Sequence, residues 1–260
     1  MKLRDKFWLW GHPEGRYNDD YGNNRVSRMT PMEACLYLGI RNTYMVPVRW
    51  EVNMRQYNKS FVTLREVAWE CCKACSDPTA IEPIIKEAAD FPNVKRIVFD
   101  DFIAYHSVND YEMENLWKAR ERMQNNEVRP MEMWMVVYTR DLGITPEQDE
   151  FHKKALEPFD GAIMWTWEER HVPLIPEKWE IFKKATPGKK RQIGVYLWNF
   201  GECKEATGTA VKWQLDWARE KLLAGECEGI VLHTNTMADL DLEAYDAAIE
   251  WMNVHGDEKI

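Results

Sequence analysis

The sequence predicts an α/β protein: a single (β/α) barrel of the TIM type over residues 1–260, with seven or eight parallel strands. Three observations carry this. Short apolar or aromatic runs alternate along the chain with segments of helical period and helical punctuation. A chain of 260 residues with no Gly/Ser- or Pro-rich linker fits one large domain. The first strand runs into Trp10-Gly11-His12-Pro13-Glu14-Gly15, which holds neither a G-x-G-x-x-G turn nor a Walker lysine, so an open nucleotide-binding sheet is disfavoured.

The first strand reads as residues 6–12. Thr30-Pro31-Met32-Glu33 then supplies an N-cap, a proline at the first helical position and a capping-box glutamate, and Gly39 closes that helix. The second strand is 42–48. Either 49–62 holds an eighth strand or the barrel closes with seven, and 63–90 reads as two successive helices, the Thr63…Glu66 pair forming one start signal. Strands at 94–101, 131–139, 161–167, 192–199 and 228–234 follow. Asn109, Thr145, Pro176 and Asp241 open the helices among them, and Gly188, Gly225 and Gly256 follow helix ends. Strict alternation makes the strands parallel and the crossovers right-handed.

Composition removes several function classes. Lys and Arg number 34 against 43 Asp and Glu, a formal charge of −9, which argues against a nucleic-acid or anionic-membrane surface. No apolar run approaches the roughly 18 residues of a membrane span. The N-terminus shows no signal-peptide core or cleavage site, so a cytoplasmic protein is expected. Of the six cysteines, Cys72 and Cys75 form a C-x-x-C, with Cys71 beside them. No second pair or neighbouring histidine completes a zinc site, and a mid-helix position is wrong for a redox motif, so reduced, mostly buried thiols are expected.

In a parallel barrel the active site forms at the C-terminal ends of the strands. Those ends supply Trp10, His12 and Glu14; Arg49; Asp100 and Asp101; Tyr138 and Arg140; Trp167 and Glu168; Trp198 and Asn199; and His233. Parity places Val98 and Asp100 on one face of their strand, and Thr166 with Glu168 opposite Trp165 and Trp167. Asp100 and Glu168 thereby turn toward the mouth. Two carboxylates in an aromatic-walled mouth suit glycoside hydrolysis, one as general acid and the other as base or nucleophile. Glu168, flanked by Trp167, fits the acid because an indole desolvates a carboxyl group. Asp100 fits the base or nucleophile, with Asp101 as understudy. Trp10, His12, Glu14, Arg49, Tyr138, Arg140, Trp167, Trp198, Asn199 and His233 would bind the sugar.

Plainer readings stand beside these. Trp69, Trp117, Trp179, Trp213, Trp217 and Trp251, six of the 13 tryptophans, fall on predicted helices and read as packing. The alternative for Asp100 is a loop cap, and for Glu168 a solvated Glu-Glu-Arg turn. His106, His152, His171 and His255 read as surface or loop residues.

The run Phe-Trp-Leu-Trp-Gly-His at 7–12, Phe-Asp-Asp-Phe at 99–102, Trp-Thr-Trp at 165–167 and Tyr-Leu-Trp-Asn-Phe-Gly at 196–201 resemble a group of bacterial glycoside-hydrolase-like TIM-barrel proteins. The likeness runs from about residue 6 to 254 and implies a barrel with a sugar-related role. Where the group carries Asp in its Tyr-Leu-Trp motif this chain has Asn199, which argues against an acid role there. An Asn-Glu-Pro motif and a D-x-x-D-x-D-x-E run are both absent.

The leading expectation is therefore a glycosidase acting on a small saccharide or glycoside, with no cofactor, no metal, and no nucleic-acid or membrane partner. A metal-dependent sugar isomerase or phosphodiesterase is the second reading, with His12, Asp100, Glu168 and His233 around a cation. No H-x-H or H-E-x-x-H spacing favours it. A non-catalytic sugar-binding barrel is the third.

Overall fold

The computed structural model describes residues 1–103 and 108–260. Eight parallel strands close into a barrel in chain order, and eight α-helices alternate with them. The strands are β1 (Phe7–Gly11), β2 (Asn42–Met45), β3 (Glu66–Glu70), β4 (Val94–Phe99), β5 (Glu132–Tyr138), β6 (Gly161–Trp165), β7 (Lys190–Tyr196) and β8 (Gly229–His233). The helices are α1 (Pro31–Leu38), α2 (Met54–Ser60), α3 (Glu82–Asp90), α4 (Asp110–Gln124), α5 (Pro146–Ala155), α6 (Ile175–Ala185), α7 (Gly208–Leu223) and α8 (Glu243–His255). The barrel closes where β1 pairs with β8, with Trp10 opposite His233. None of the described helices is long and apolar enough to cross a membrane.

Several start signals act as the sequence predicts. Thr30 and Glu33 form a reciprocal capping box, and Gly39 ends α1 in the left-handed region at φ 69°. Asn109 and Glu112 do the same for α4, and Thr145 caps α5. Asp241 is one residue early, because Leu242 occupies the N-cap of α8.

The largest correction is β3. The predicted helix opening at Thr63 and Glu66 is a strand, and the eighth strand lies there rather than in 49–62, which carries α2. Glu66-Val67-Ala68-Trp69-Glu70 is short and built partly from good helix formers, so local propensity pointed the wrong way. Tertiary context decides instead: Val67, Ala68 and Trp69 are fully buried between β2 and β4. Trp69 is thus a strand residue, its indole donating to Asn58 at 3.0 Å. The C-x-x-C follows β3 in a single 3-10 turn, Cys72–Cys75, and all six cysteines are free thiols.

The barrel interior explains much of the tryptophan content. Trp8 and Trp10 from β1 pack on Tyr44 of β2 at ring separations of 4.7 and 5.2 Å. Trp10 also meets Trp165 of β6 edge-on at 5.5 Å. Below them the Arg96 guanidinium lies between the Trp8 and Trp134 rings, 4.3 and 4.8 Å from their centroids. Gly161 leaves room for Trp134, since a Cβ there would come within 2.7 Å of that ring. These indoles fill a barrel core, as bulky side chains of alternate strands do in this fold. His152 is another correction: it is buried on α5, not at the surface. His106 lies outside the described residues.

Candidate active site

At the C-terminal ends of the strands, the end of β4 brings two consecutive carboxyl groups to one place. Arg96 faces the barrel axis, so alternation turns Val98 and Asp100 the same way. Phe99 points outward, onto Phe102 and Phe159 at 5.7 and 5.1 Å. Alternation would send Asp101 outward as well. Instead Asp101 takes φ 52°, a left-handed conformation that aspartate tolerates, and its Oδ1 accepts a hydrogen bond from the Tyr138 hydroxyl at 2.5 Å. Tyr138 ends β5, so its phenol and both carboxyls belong to the mouth.

Neighbouring loops fix this arrangement. The Asp100 amide donates to the Cys72 sulfur at 3.1 Å, and the Cys72 thiol lies 3.0 Å from the Asp100 carbonyl oxygen. The Cys72 amide in turn donates to Glu70, the last residue of β3, at 2.7 Å. Burial pushes Asp100 well above the usual carboxylate range, and the adjacent Asp101 and Glu70 carboxylates push it further. Burial raises Asp101 too, but the Tyr138 hydrogen bond and the Arg140 charge oppose the rise. Of the pair, Asp100 is the one that holds a proton more firmly. Burial also raises Tyr17, Tyr138 and Tyr196 well above the ordinary phenol value, so all three stay protonated.

His12 and His233 meet across the β1–β8 seam, Nε2 to Nε2 at 3.3 Å, with the Tyr17 hydroxyl 3.3 Å from the same His12 nitrogen. The His12 Nδ1 lies 2.7 Å from the Val46 carbonyl, so Nδ1 carries the proton and Nε2 accepts. Asn235 holds the His12 backbone from both sides: its Oδ1 accepts from the His12 amide at 2.7 Å, and its Nδ2 donates to the carbonyl at 2.9 Å. Burial drives His12 down to about 3 and His233 well below its ordinary value, so both are neutral.

This pair has a consequence for stability. The unfolded histidines bind protons below about pH 6.5 while the folded ones do not, so their contribution is lost as pH falls from there toward about 3. Asp100 works in the opposite sense: with its value raised in the fold, its cost disappears as pH falls. Urea unfolding at pH 7 and pH 5 should show wild type losing stability at the lower pH, and His12→Gln losing less. An equal loss in both proteins would remove the histidine pair as the cause.

The rim is aromatic. Half-buried Trp167 stacks on Phe200 at 5.7 Å and meets Tyr138 and Tyr196 edge-on at 6.0 and 5.7 Å. The Arg140 guanidinium lies 4.6 Å from the Tyr138 ring centroid and 5.4 Å from that of Trp167.

The structure thus gathers Asp100, Asp101, Tyr138, Arg140, Trp167, His12 and His233 at the mouth, with Trp10 directly beneath. The parity reading of β6 is corrected. Trp165 faces the axis, against Trp10, Tyr196 and His233, so Thr166 turns away, its hydroxyl 3.5 Å from that of Thr139. The Glu168 carboxylate pairs with Arg170, and the His171 ring lies 3.9 Å from it. Trp198 is buried and donates to the Tyr21 carbonyl at 3.0 Å. Asn199 serves its own loop, donating to Glu202 and accepting from the Glu169 amide at 3.3 Å. Glu14 accepts from Tyr57 on α2 at 3.0 Å, and Arg49 is exposed in the loop after β2 with φ 66°.

Tyr17, Glu70, Tyr196 and Phe200 also belong to the cluster; Tyr196 and Phe200 fall in the motif at 196–201, but none of the four is a predicted site residue. Glu70 was hidden by the misread β3, and Tyr17 lies in a loop with no periodic signal. Tyr196, by contrast, was available from parity on β7. Among the described residues, no three His, Cys, Asp or Glu side chains come together to hold a metal ion, so the ring of His12, Asp100, Glu168 and His233 does not form.

No protein-family model matches the chain, and no curated protein sequence matches it. Solved structures do. Active domain 2 of a thermostable chitinase from Pyrococcus furiosus, in a complex with chito-oligosaccharides, superposes with a TM-score of 0.61 at 11% identity, covering 98% of this chain and 97% of that one. A chitinase from Chromobacterium violaceum gives 0.59 at 8% identity over 95% and 98%. A β-glucuronidase from Ruminococcus gnavus with D-glucuronic acid gives 0.58 at 9% identity, covering 96% of this chain and 49% of that one. At such identities the likeness is one of fold: this chain is a single TIM-type barrel similar to those of glycoside hydrolases.

Proposed function

We propose that the barrel mouth hydrolyses a small saccharide or glycoside, with Asp100 as general acid and Asp101 as base or nucleophile. The observation that carries this reading is the adjacent Asp100–Asp101 pair itself. Two consecutive carboxyls lie together at the mouth, one biased to keep its proton and the other steadied by Tyr138 and Arg140. Glycoside cleavage needs such an inequality between two acids. Relative to the sequence expectation, Asp100 moves from base to acid, and Glu168, paired with Arg170, leaves the pair. Trp167 offers an indole face to the apolar side of a sugar ring, and Arg140 offers donors to its hydroxyls. Similar barrels that act on or bind carbohydrates support the substrate class.

The first test is a screen of aryl glycosides, followed by the pH profile of kcat/KM on any that turn over. The profile should be bell-shaped: activity rises as Asp101 ionises and falls as Asp100 loses its proton, the two apparent values belonging to the pair. Glu168→Gln should cost less than about 10-fold, where removing a positioned acid costs 10²–10⁴-fold. A loss from Glu168→Gln as large as that from Asp100→Asn would return the acid role to Glu168. Tight sugar binding with no turnover of any glycoside would favour a binding barrel instead.

A further inference from the structure

The strand N-termini, opposite the mouth, enclose a cavity of about 390 Å³. Six cationic side chains line it: Lys6, Arg65, Lys95, Arg96, Arg129 and Lys190. Four carboxylates also line it, leaving a surplus of two positive charges in a chain whose formal charge is −9. The carboxylates are already engaged. Glu66 takes Arg96 at 2.8 Å and Lys95 at 3.6 Å, Glu132 takes Lys190 and Arg96, and Asp5 takes Arg65 at 3.0 Å. Glu228 lies 3.9 Å from Lys190.

Arg96 is only 8% exposed, held flat between Trp8 and Trp134, with Glu66, Glu132 and Tyr44 as its polar neighbours. The neighbouring Tyr44 hydroxyl donates to Gln192 at 2.7 Å, which leaves its oxygen free to accept from Arg96. Donors remain after this pairing. Arg129 spends its Nη2 on the carbonyls of Ala88, Phe91 and Val94, but its buried Nε has no partner. No ion pair engages Lys6 among the described residues. A buried guanidinium with an idle N–H is costly unless something accepts from it.

We propose that this floor cavity binds a small anion bearing a phosphoryl group, either inorganic phosphate or a phosphate monoester. A dianion matches the surplus of two charges, which a monocarboxylate would leave half offset. Its several acceptor oxygens suit donors arriving from different strands, as arginine and lysine clusters do elsewhere. The volume lies within the range of small-molecule sites and leaves room for the organic part of an ester. The site is at the opposite end of the barrel from the carboxylate pair and does not depend on the function proposed for the mouth.

The test is calorimetric titration of the full chain at low ionic strength with inorganic phosphate and with ribose 5-phosphate, ribose being the neutral control. One site per chain with a Kd on the order of 1 mM or tighter is expected for at least one phosphorylated probe, and none for ribose. The tighter probe identifies the source of the phosphoryl group. Lys6→Gln should weaken binding about 10-fold, Lys6→Arg should preserve it, and added salt should weaken it. Asp100→Asn, at the mouth, should leave it unchanged. Absence of saturable binding to both probes, equal affinity in Lys6→Gln, or an equal loss in Asp100→Asn would each overturn the proposal.

Discussion

Asp100→Asn is expected to lower turnover of unactivated glycosides by about 10³-fold, and to cost far less on aryl glycosides with good leaving groups. Proton assistance matters in proportion to the basicity of the departing oxygen, so an acid's removal is felt selectively. Asp101→Asn should be severe on both substrate types, because attack on the anomeric carbon is needed whichever group leaves. Stability separates this from a structural role. Asp100 is raised by desolvation and by two neighbouring carboxylates, so ionising it in the fold is unfavourable. The amide avoids that cost, and Asp100→Asn should unfold at the same temperature as wild type or higher at pH 7. A folded variant with undiminished kcat on poor leaving groups would remove Asp100 from the chemistry. A variant that unfolds would recast the pair as a structural device at the end of β4.

How much of this was legible beforehand depended on which physical signal each residue left in the chain. Seven strands were visible because each is a continuous apolar or aromatic run, the signature of strands buried on both faces. β3 was not, because Glu66-Val67-Ala68-Trp69-Glu70 is flanked by charges and its place is fixed by β2 and β4, far away in sequence. That one misreading also hid Glu70 and put Trp69 on a helix. Asp100 was reachable by counting twos along β4, since Arg96 and Val98 keep the alternation regular. Asp101 was reachable only as a neighbour: its left-handed φ breaks the alternation, and Asp-Asp alone does not announce such a turn. On β6 the same counting failed through a wrong premise. Reading tryptophan as the outward residue fails on this strand, because the Trp165 indole fills the interior. The inward positions opposite the indoles carry glycine, and that complementarity is a relation between strands that no single run displays.

That complementarity gives the second large effect. Gly194 is a central residue of β7, and a Cβ built on it would fall inside the van der Waals envelope of the Trp165 ring. Trp165 cannot easily retreat, because Trp10 lies edge-on at 5.5 Å, Tyr196 at 4.7 Å and His233 at 5.8 Å around it. Inserting a single methyl group into a packed core costs roughly 1–3 kcal/mol through displaced side chains and backbone. Gly194→Ala should therefore lose about 3 kcal/mol, and Gly194→Val should fail to fold. The cause is checked by a partner substitution. Trp165→Leu alone opens a cavity and should cost about 3 kcal/mol. Combined with Gly194→Ala, it provides the space that the new methyl group needs. The double variant should then be more stable than the two separate losses imply, by roughly 1–3 kcal/mol of coupling. Urea unfolding of the four proteins closes the cycle. Simple additivity, or a Gly194→Ala variant within 0.5 kcal/mol of wild type, would mean that the Trp165 ring shifts freely. The rigid indole layer that supports His233 and Tyr196 from below would then be a loose one, and the carboxylate pair would owe its placement to β4 and its loops alone.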